Sequence, residues 1–580
     1  MKKNISKLFC SNKTTIKQVL EKFDKASKFN LPSGIGLFVD KKMNLIGVIS
    51  EGDIRRAFLK GANLNSKAEP YMILSPVVFN STKSVTEILQ ELPKELKLRG
   101  RKSSKFLDKI VLVDKKGVPE KIISYHQLWE QKVAMHRNIT IVGMGYVGLT
   151  LAIVMAESGF NIVGVESNIK KLNLLKKGES YIHENGLTEI LKESVNRNLN
   201  FTSETNYSDV FIISVGTPVS KNSSNTFEPN LSYLKNSCEQ VGLKLKHGNL
   251  VILRSTVPVG ATRKIAKVIL EKKSGLVCGI DFHLSFAPER TAEGSALKEL
   301  RSLPQIIGGY NNDSVNATSA IFRDITSTIV TVESLEEAEM VKLINNSFRD
   351  YIFAFSNQVA KLSAKFNINA HRLIMNSNKG YVRDKVPNPS PGVGGPCLTK
   401  DPYIFSYVAK EALMEDNFFS NSRHVNESMH SFVFSRIKKA SNIVKKKIKD
   451  INILFCGLAF KGNPETGDIR DSISLEIAKI FKKENCNIYG YDEVATKEEI
   501  NAEGIIFHDI KLGFEKFDAI LFLNNHKNFE KINEFEMVRS MKENPIIFDG
   551  WNLFHYHDII SSRPSVYIGL SDIKESITKS

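Results

Sequence analysis

Apolar residues follow two kinds of pattern along the 580-residue chain. Uninterrupted apolar runs, typical of strands buried on both faces, alternate with longer amphipathic segments over residues 138–333 and again from residue 451. Between these regions the strand pattern disappears, and residues 336–366 form one long helical pattern. The patterns predict an α/β class fold with two Rossmann-like, doubly wound parallel sheets joined by a helical domain. The predicted strands are 139–142, 161–165, 210–215, 250–255, 283–286, 305–308, 451–456, 487–491, 519–523 and 546–548.

The first 135 residues carry a different pattern, which occurs twice at an interval of about 60 residues. Each copy predicts a helix, two strands and a second helix. The copies are 16–23, 35–39, 45–50 and a helix from Asp53, then 85–92, 109–113, 121–124 and a helix from His126. The predicted domains are therefore an α+β repeat module at 1–135, an α/β domain at 136–333, a helical domain at 334–437 and a second α/β domain at 438–580.

Composition and charge narrow the classes of function. Hydrophobic residues make up 42% and charged residues 25%, which is ordinary for a globular protein. The formal charge is +17, but the densest basic cluster, 445–449, has no interleaved aromatic residues, so no nucleic-acid partner is predicted. The six cysteines lack metal-ligand spacing, so neither a metal site nor a disulfide scaffold is predicted.

The chain shows no predicted membrane or secretion segment. The lysines near the start precede no apolar run, as a signal peptide would require. Residues 138–156 carry no charge, but three closely spaced glycines predict a strand, a turn and a helix of a soluble domain. We expect a cytoplasmic protein.

A dinucleotide-binding pattern follows the strand at 139–142. In such a turn Gly143 permits the bend, Gly145 lets the backbone approach a pyrophosphate, and Gly148 packs the helix against the strand. The next strand ends at Glu166, whose carboxylate accepts hydrogen bonds from ribose hydroxyls and repels a 2′-phosphate, which favours NAD over NADP. The predicted NAD-binding residues in this segment are Gly143, Gly145, Tyr146, Val147, Gly148 and Glu166.

Reactive residue types stand beyond the first α/β domain. Cys397 lies in a glycine-rich loop before a predicted helix, and a thiol near an NAD site suggests covalent carbonyl chemistry. The helix N-terminus or Lys400 would lower the pKa of the thiol. Lys342 and Asn346 share a helix face, where they either hold an oxyanion and a water or are an ordinary surface lysine and polar cap. Asp401 before Pro402 also fits an N-cap with proline at the first helical position.

Seven motifs in order carry a resemblance to a known family. They lie at 215–218, 255–260, 288–294, 342–346, 392–401, 457–461 and 467–470. Together they resemble the UDP-glucose/GDP-mannose dehydrogenase family over roughly residues 138–555. The resemblance implies oxidation of C6 of a nucleotide-linked sugar from alcohol to carboxylate, with two NAD and one water and without release of the aldehyde.

The resemblance also implies roles for individual residues. Cys397 resembles the nucleophile that forms a thiohemiacetal and then a thioester, and Lys342 resembles the residue that stabilises the oxyanion. Asn346 and Thr256 resemble residues that position the water and the reacting oxygen. Glu289 and Asp401 resemble the carboxylates that act as acid and base. Cofactor contacts are implied for Thr217, Pro218, Thr256, Glu293 and Arg470, and substrate contacts for Glu289, Lys342, Asn346, Arg383, Gly394 and Lys461.

The identity of the sugar depends on finer features. The Gly-Gly-Pro-Cys-Leu run and the residues after Lys461 resemble the N-acetylhexosamine branch, which favours UDP-GlcNAc or UDP-ManNAc for surface polysaccharide precursors. Ser390 and Asn185 depart from the usual pattern without removing a catalytic group. The alternatives are UDP-glucose as substrate, a two-electron dehydrogenase, and a sensor that binds NAD and nucleotide but has lost catalysis. A homodimer or larger homo-oligomer through the helical domain is implied.

The front module resembles a pair of CBS motifs. Residues 47–56 resemble the end of one motif, in which Ser50 and Asp53 would hold the phosphate and ribose of an adenine nucleotide or nucleotide sugar. The second copy, at 122–126, lacks the aspartate. Two roles remain open for the module, which are ligand-dependent tuning of activity and dimerisation without a ligand.

Overall fold

The computed structural model describes residues 5–29, 31–83, 85–99, 109–124, 138–195, 197–222, 226–414 and 417–577. The front module contains two three-stranded sheets with the same pairing, a parallel pair followed by an antiparallel pair. Leu37 of the first unit and Val111 and Ile122 of the second share one core. The elements are β1 Phe9–Cys10, α1 Ile16–Ala26, β2 Ile35–Val39, β3 Leu45–Ser50, α2 Glu51–Leu59, β4 Val78–Asn80, α3 Val85–Leu98, β5 Lys109–Val113 and β6 Pro119–Ser124.

An eight-stranded sheet follows. Its strands are β7 Asn138–Val142, β8 Asn161–Val165, β9 Leu199–Thr202, β10 Val210–Ile213, β13 Leu250–Leu253, β14 His283–Phe286, β15 Gln305–Gly309 and β16 Ile329–Thr331, and β11 Val219–Lys221 pairs with β12 Phe227–Pro229 in a separate hairpin. The order is β16-β15-β14-β13-β10-β7-β8-β9, parallel except between β14 and β15. The helices are α4 Tyr146–Glu157, α5 Ile169–Lys176, α6 Leu187–Val195, α7 Ser232–Gly242, α8 Lys267–Ser274, α9 Ala296–Ser302 and α10 Asn312–Phe322.

Burial on both faces explains the uninterrupted apolar strands. Val210 and Ile212 pack into one core while Phe211 and Ile213 pack into the core on the opposite face of the sheet. Helix α4 is buried from Gly148 to Ala156, which accounts for the long uncharged stretch of sequence. Among the described helices, none combines the length and apolarity needed to cross a bilayer.

A helical region leads to the second sheet. Its helices are α11 Leu335–Ser363, α12 Ala370–Asn378, α13 Asp401–Glu411, α14 Phe418–Glu427 and α15 Met429–Ile443. The second sheet has the order β19-β18-β17-β20-β21-β22-β23 and is parallel except between its last two strands. Its elements are β17 Asn452–Cys456, α16 Ile473–Lys483, β18 Asn487–Tyr491, α17 Lys497–Ala502, β19 Ile506–Phe507, β20 Ala519–Phe522, α18 Glu534–Ser540, β21 Ile546–Asp549, α19 Tyr556–Ser562, β22 Val566–Gly569 and β23 Ile573–Glu575.

The predicted α/β class with two doubly wound sheets around a helical region is confirmed, with several local corrections. The predicted strands 210–215 and 250–255 end two residues earlier, where the loops that carry Thr217 and Thr256 begin. The helix predicted after the glycine-rich turn is α4, which begins at Tyr146. Nine short strands were absent from the prediction, which are β1, β4, β9, β11, β12, β16, β19, β22 and β23. The predicted helix from His126 lies outside the described residues.

Candidate active site

The glycine-rich turn after β7 has the geometry that a pyrophosphate needs. Gly143 has a positive φ of 94°, and a Cβ on Gly148 would stand 1.9 Å from the carbonyl oxygen of Gly143, so neither position tolerates a side chain. Gly145 is the N-cap of α4, and no atom lies within 4 Å of where its Cβ would stand. The open N-terminus of α4 therefore offers backbone N–H groups to an anion, which fits the predicted NAD pyrophosphate.

Glu166 stands where the adenosine ribose of NAD is expected. One carboxylate oxygen accepts a hydrogen bond from the Asn168 N–H at 2.8 Å, and the other lies 3.5 Å from the Tyr181 hydroxyl. Burial raises the pKa of Tyr181, and the neighbouring Glu166 charge raises it further. The Thr217 hydroxyl donates to the carbonyl oxygen of Thr256 at 2.6 Å, which joins two of the predicted cofactor loops.

Cys397 lies in a loop that is fixed at both sides. The buried guanidinium of Arg423 donates to the carbonyl oxygens of Val393 at 2.6 Å and Leu398 at 3.3 Å, and it pairs with Asp350 of α11 at 2.6 Å. Part of Cys397 is open to solvent, so a substrate can reach it, although many protein atoms surround the thiol. Arg423 thus ties the loop that carries the thiol to the long central helix.

The expectation of a lowered thiol pKa is wrong. The protein packed around Cys397 withdraws water from the charged form, and this burial raises the pKa to about 11. Lys342 and Lys400 lower the pKa while Asp401 raises it, and burial outweighs the cations. In the free protein Cys397 is therefore a protonated thiol, placed close to groups that can stabilise an anion.

Lys342 and Glu289 form a buried ion pair. The ammonium nitrogen lies 3.5 Å from a carboxylate oxygen, and both side chains are less than a tenth exposed. Burial opposes both charges, but Glu289 raises the pKa of Lys342, and Lys342 together with Arg254 lowers the pKa of Glu289. Both groups are therefore charged. The surface alternative for Lys342 is wrong, because the residue is 6% exposed and faces the thiol.

Asn346 and Asp401 also meet in the interior. The Asn346 amide donates to one Asp401 oxygen at 2.6 Å, and the Lys400 ammonium donates to the other at 2.6 Å. The predicted N-cap role for Asp401 is wrong, because Lys400 is the N-cap residue and α13 starts at Asp401, with Pro402 at its second position. Its fully buried carboxylate instead points toward Asn346, beside the thiol.

Residues of the domain that contains the second sheet contact Glu293 and Gly294 of the first domain. The Lys461 ammonium donates to the carbonyl oxygen of Glu293 at 2.7 Å. Burial, together with the Asp468 charge, raises the pKa of the Glu293 carboxyl to about 7, and one of its buried oxygens has no hydrogen-bond partner among the described residues. Arg470 is paired with Asp468 and lowers the Glu293 pKa. An unpartnered carboxylate oxygen beside two cations fits a position that a cofactor or substrate completes.

Four further predicted positions lie apart from these side chains or contribute only their backbone. Arg383 is exposed and stacks 5.7 Å from the centre of the Tyr381 ring, and no described hydrogen bond connects it to the other site residues. Gly394 packs closely against the second sheet, since a Cβ there would lie 2.5 Å from the Asp471 carbonyl oxygen. Ser50 and Asp53 form a capping box at the start of α2 in the front module.

Sequence reasoning missed several buried polar residues around the site. Arg254 directly precedes the motif that carries Thr256 and donates to the Ala287 carbonyl oxygen at 3.1 Å, beneath Glu289. Glu184 accepts from the Tyr146 hydroxyl and, at 2.8 Å, from the Gly294 N–H. Their charged side chains flank motif positions, but only the fold shows that they are buried. No cluster of metal-ligating residues occurs among the described part of the chain.

A dinucleotide fold with a thiol, a charged lysine and two buried carboxylates defines the class of NAD-dependent dehydrogenases. Models of the UDP-glucose/GDP-mannose dehydrogenase family match three successive regions of the chain. These are the NAD binding domain at residues 137–326, the central domain at 336–428 and the UDP binding domain at 454–556.

Individual relatives agree with these matches. The chain is 32% identical to the UDP-N-acetyl-D-mannosamine dehydrogenase of Pyrococcus horikoshii over 72% of its length and 96% of the relative, and 32% identical to that of Campylobacter jejuni over 69% and 98%. The solved structure of the P. horikoshii enzyme superposes with a TM-score of 0.66 over 75% of this chain and 99% of that one, at 31% identity. The chain belongs to the UDP-glucose/GDP-mannose dehydrogenase family.

Proposed function

We propose that the protein oxidises C6 of a UDP-N-acetylhexosamine to the uronate with two NAD, and that UDP-ManNAc is the sugar nucleotide. The arrangement of Cys397, the Lys342–Glu289 pair and the Asn346–Asp401 pair carries the proposal. Relatives named UDP-N-acetyl-D-mannosamine dehydrogenases support the choice of sugar. UDP-glucose and a sensor without catalysis are the competing functions, and intact Cys397, Lys342 and Asn346 argue against the sensor.

The residues divide the reaction between them. NAD, which the glycine-rich turn and Glu166 would hold, would supply the hydride acceptor for each of two oxidations at C6, and a carboxylate, Glu289 or Asp401, takes the hydroxyl proton lost in each. After the first, the Cys397 thiol adds to the aldehyde carbon, and its proton passes to the carbonyl oxygen, which Lys342 holds. The second oxidation converts this thiohemiacetal to a thioester. Asn346 and Asp401 orient a water that attacks the thioester, and a carboxylate, Glu289 or Asp401, takes its proton while the Cys397 thiolate leaves and is reprotonated.

The cofactor and the substrate bind to the domains that the sequence analysis predicted for them. Residues 136–333 bind NAD through Gly143, Gly145, Gly148 and Glu166, with Tyr146, Val147, Thr217, Pro218, Thr256, Glu293 and Arg470 around the remaining cofactor. The UDP-sugar lies between residues 334–437 and 438–580, where Lys461 and Gly394 join the catalytic set and the exposed Arg383 would contact the substrate from outside that set. Burial lowers the pKa of Lys461, and the Glu293 charge only partly opposes this change. The ammonium therefore has too little negative charge around it, and a bound diphosphate would supply that charge.

Product analysis tests the function directly. The protein is incubated with NAD and, separately, UDP-ManNAc, UDP-GlcNAc, UDP-glucose and GDP-mannose, and the products are identified by mass spectrometry. We expect a uronate from UDP-ManNAc with the highest kcat/KM. A uronate formed best from UDP-glucose would overturn the sugar, and the absence of product from all four would favour the sensor.

We also propose that the helical region forms a homodimer through one face of α11. Six large apolar residues on this helix are exposed, and they follow the spacing of a single stripe opposite Lys342 and Asn346. They are Met340, Ile344, Phe348, Tyr351, Phe355 and Leu362. Light scattering after size exclusion should show a dimer that Phe348→Glu dissociates, whereas Asn345→Glu, about 100° around the helix, leaves it intact. A monomeric unmodified protein would contradict the proposal.

For the front module we propose a CBS pair at residues 1–135 with a regulatory or oligomerisation role, with an adenine nucleotide or nucleotide sugar bound near Ser50 and Asp53. Asp53 is buried, accepts from the Ser50 N–H at 2.8 Å and pairs with Arg56. A thermal shift with AMP, ATP or UDP-GlcNAc that Asp53→Asn abolishes and Glu51→Gln preserves would support the ligand site. No shift with any of them would leave dimerisation as the role of the module.

A further inference from the structure

Glu339 is a buried carboxylate with no part in the reaction outlined above. It lies on α11 one turn before Lys342 and two turns before Asn346, and it is 1% exposed. Its three bonding partners belong to a distant segment of the chain, the loop that follows β13. A carboxylate is costly to bury, so its retention at this position needs a structural or chemical reason.

The groups that donate hydrogen bonds to Glu339 lie at the start of a helical segment. One carboxylate oxygen accepts from the Gly260 N–H, and the other accepts from the Thr262 N–H at 2.8 Å and from the Thr262 hydroxyl. Residues Thr262–Ala266 form a π-helical turn that continues into α8. Glu339 therefore caps the start of this segment from another helix, and the loop that carries Thr256 lies directly before the capped turn.

We infer that Glu339 is a positioning residue that fixes the Thr256 loop to the helix bearing Lys342 and Asn346. The loop has a second anchor, since the Thr217 hydroxyl donates to the Thr256 carbonyl oxygen. Gly260 has a positive φ of 90°, and a glycine can also adopt many other conformations. Bonds from outside the loop therefore help to fix the backbone at the capped turn. The three bonds span 77 to 79 residues of sequence and set the distance between two parts of the active site.

The charge state of Glu339 decides how many of these bonds form. Burial raises its pKa to about 7, the Thr262 and Gly260 donors lower it, and the nearby Glu336 raises it. The Glu336 charge is itself engaged by Arg263 at 2.7 Å. Above about pH 7 both Glu339 oxygens accept. Below it one oxygen carries a proton, and the carboxylic acid keeps full acceptor capacity on one oxygen only.

Amide hydrogen exchange tests the inference without relying on the proposed function. In the unmodified protein, at least one of the Gly260 and Thr262 amides, corrected for intrinsic exchange rates, should lose protection as the pH falls from 8 to 6, because the two amides bond to different Glu339 oxygens. Glu339→Gln should show low protection at every pH, because it presents a single acceptor oxygen and does not titrate. Glu337→Gln is the matched control and should keep the normal profile, because Glu337 is exposed on the same helix and its carboxylate accepts from the Glu333 N–H.

Kinetics provides the second readout and rests on the proposed function. Glu339→Gln should lower kcat for UDP-ManNAc oxidation about ten- to a hundredfold, as expected for slight misplacement of reacting groups, with KM for the sugar changed less than about threefold. Glu339→Asp should recover part of the rate. Unchanged exchange protection in folded Glu339→Gln would overturn the inference, as would a pH-dependent profile in that variant. If no sugar nucleotide is oxidised, the exchange data still decide the positioning role.

Discussion

The ionisation of Cys397 provides a quantitative test of the active site. With a pKa of about 11, only about one thiol in a thousand is ionised at pH 8, whereas an ordinary thiol with the reference pKa of 9.0 is about one-tenth ionised. Because the more basic thiolate is also the more nucleophilic, alkylation by iodoacetamide at pH 8 should be about tenfold slower at Cys397 than at an ordinary thiol. The rate should rise with pH without levelling off below pH 10.

Three variants separate the causes of this shift. Lys342→Met removes the cation that most lowers the thiol pKa and should slow alkylation, and Lys400→Met should slow it less. Asp401→Asn removes a neighbouring negative charge and should speed it. Mass spectrometry of the peptide that contains Cys397 gives the rates. A rate that levels off near pH 8, or a Lys342→Met variant that reacts as fast as the unmodified protein, would refute the reasoning.

Three further predictions address other parts of the molecule. Glu166→Ser removes a charged acceptor for ribose and should raise KM for NAD about tenfold in initial-rate assays; an unchanged KM places the ribose elsewhere. Arg423→Met leaves Asp350 buried and unpaired, at a cost of about 3–5 kcal/mol, and should lower the unfolding temperature measured by scanning fluorimetry. Gly294→Ala places a Cβ 2.5 Å from the Glu465 carbonyl oxygen and should abolish turnover while NADH binding, followed by fluorescence, persists.

The core of the fold could be predicted because buried parallel strands leave a simple pattern. The runs at 210–213 and 250–253 contain no polar residue, since both faces of each strand pack against helices. Strands β9, at Leu199–Thr202, and β19, at Ile506–Phe507, were missed because each is four residues or shorter, and half of the β9 positions and both β19 positions are exposed or partly exposed. Such strands form because the edge of a neighbouring strand is free to pair with them. The local sequence pattern does not show whether such an edge is present.

The residues of the site also fall into two groups, those that a local sequence pattern predicts and those that it does not. Cys397 and Lys342 could be found because each sits in a motif with its chemical context nearby in sequence. Arg423 acts on Asp350, 73 residues away, and Glu339 acts on Gly260, 79 residues away, so only tertiary structure joins them. The pKa of Cys397 was misjudged for a related reason, because the neighbouring lysine is visible in the sequence whereas the burial that outweighs it is not.

The most direct test of the account is the yield of NADH per molecule of sugar nucleotide. UDP-ManNAc is supplied in limiting amount with excess NAD, and the absorbance is followed to completion. The account predicts two NADH per molecule, because Cys397 retains the aldehyde until the second oxidation. One NADH per molecule, with a free aldehyde as product, would contradict the thioester route and leave a two-electron dehydrogenase.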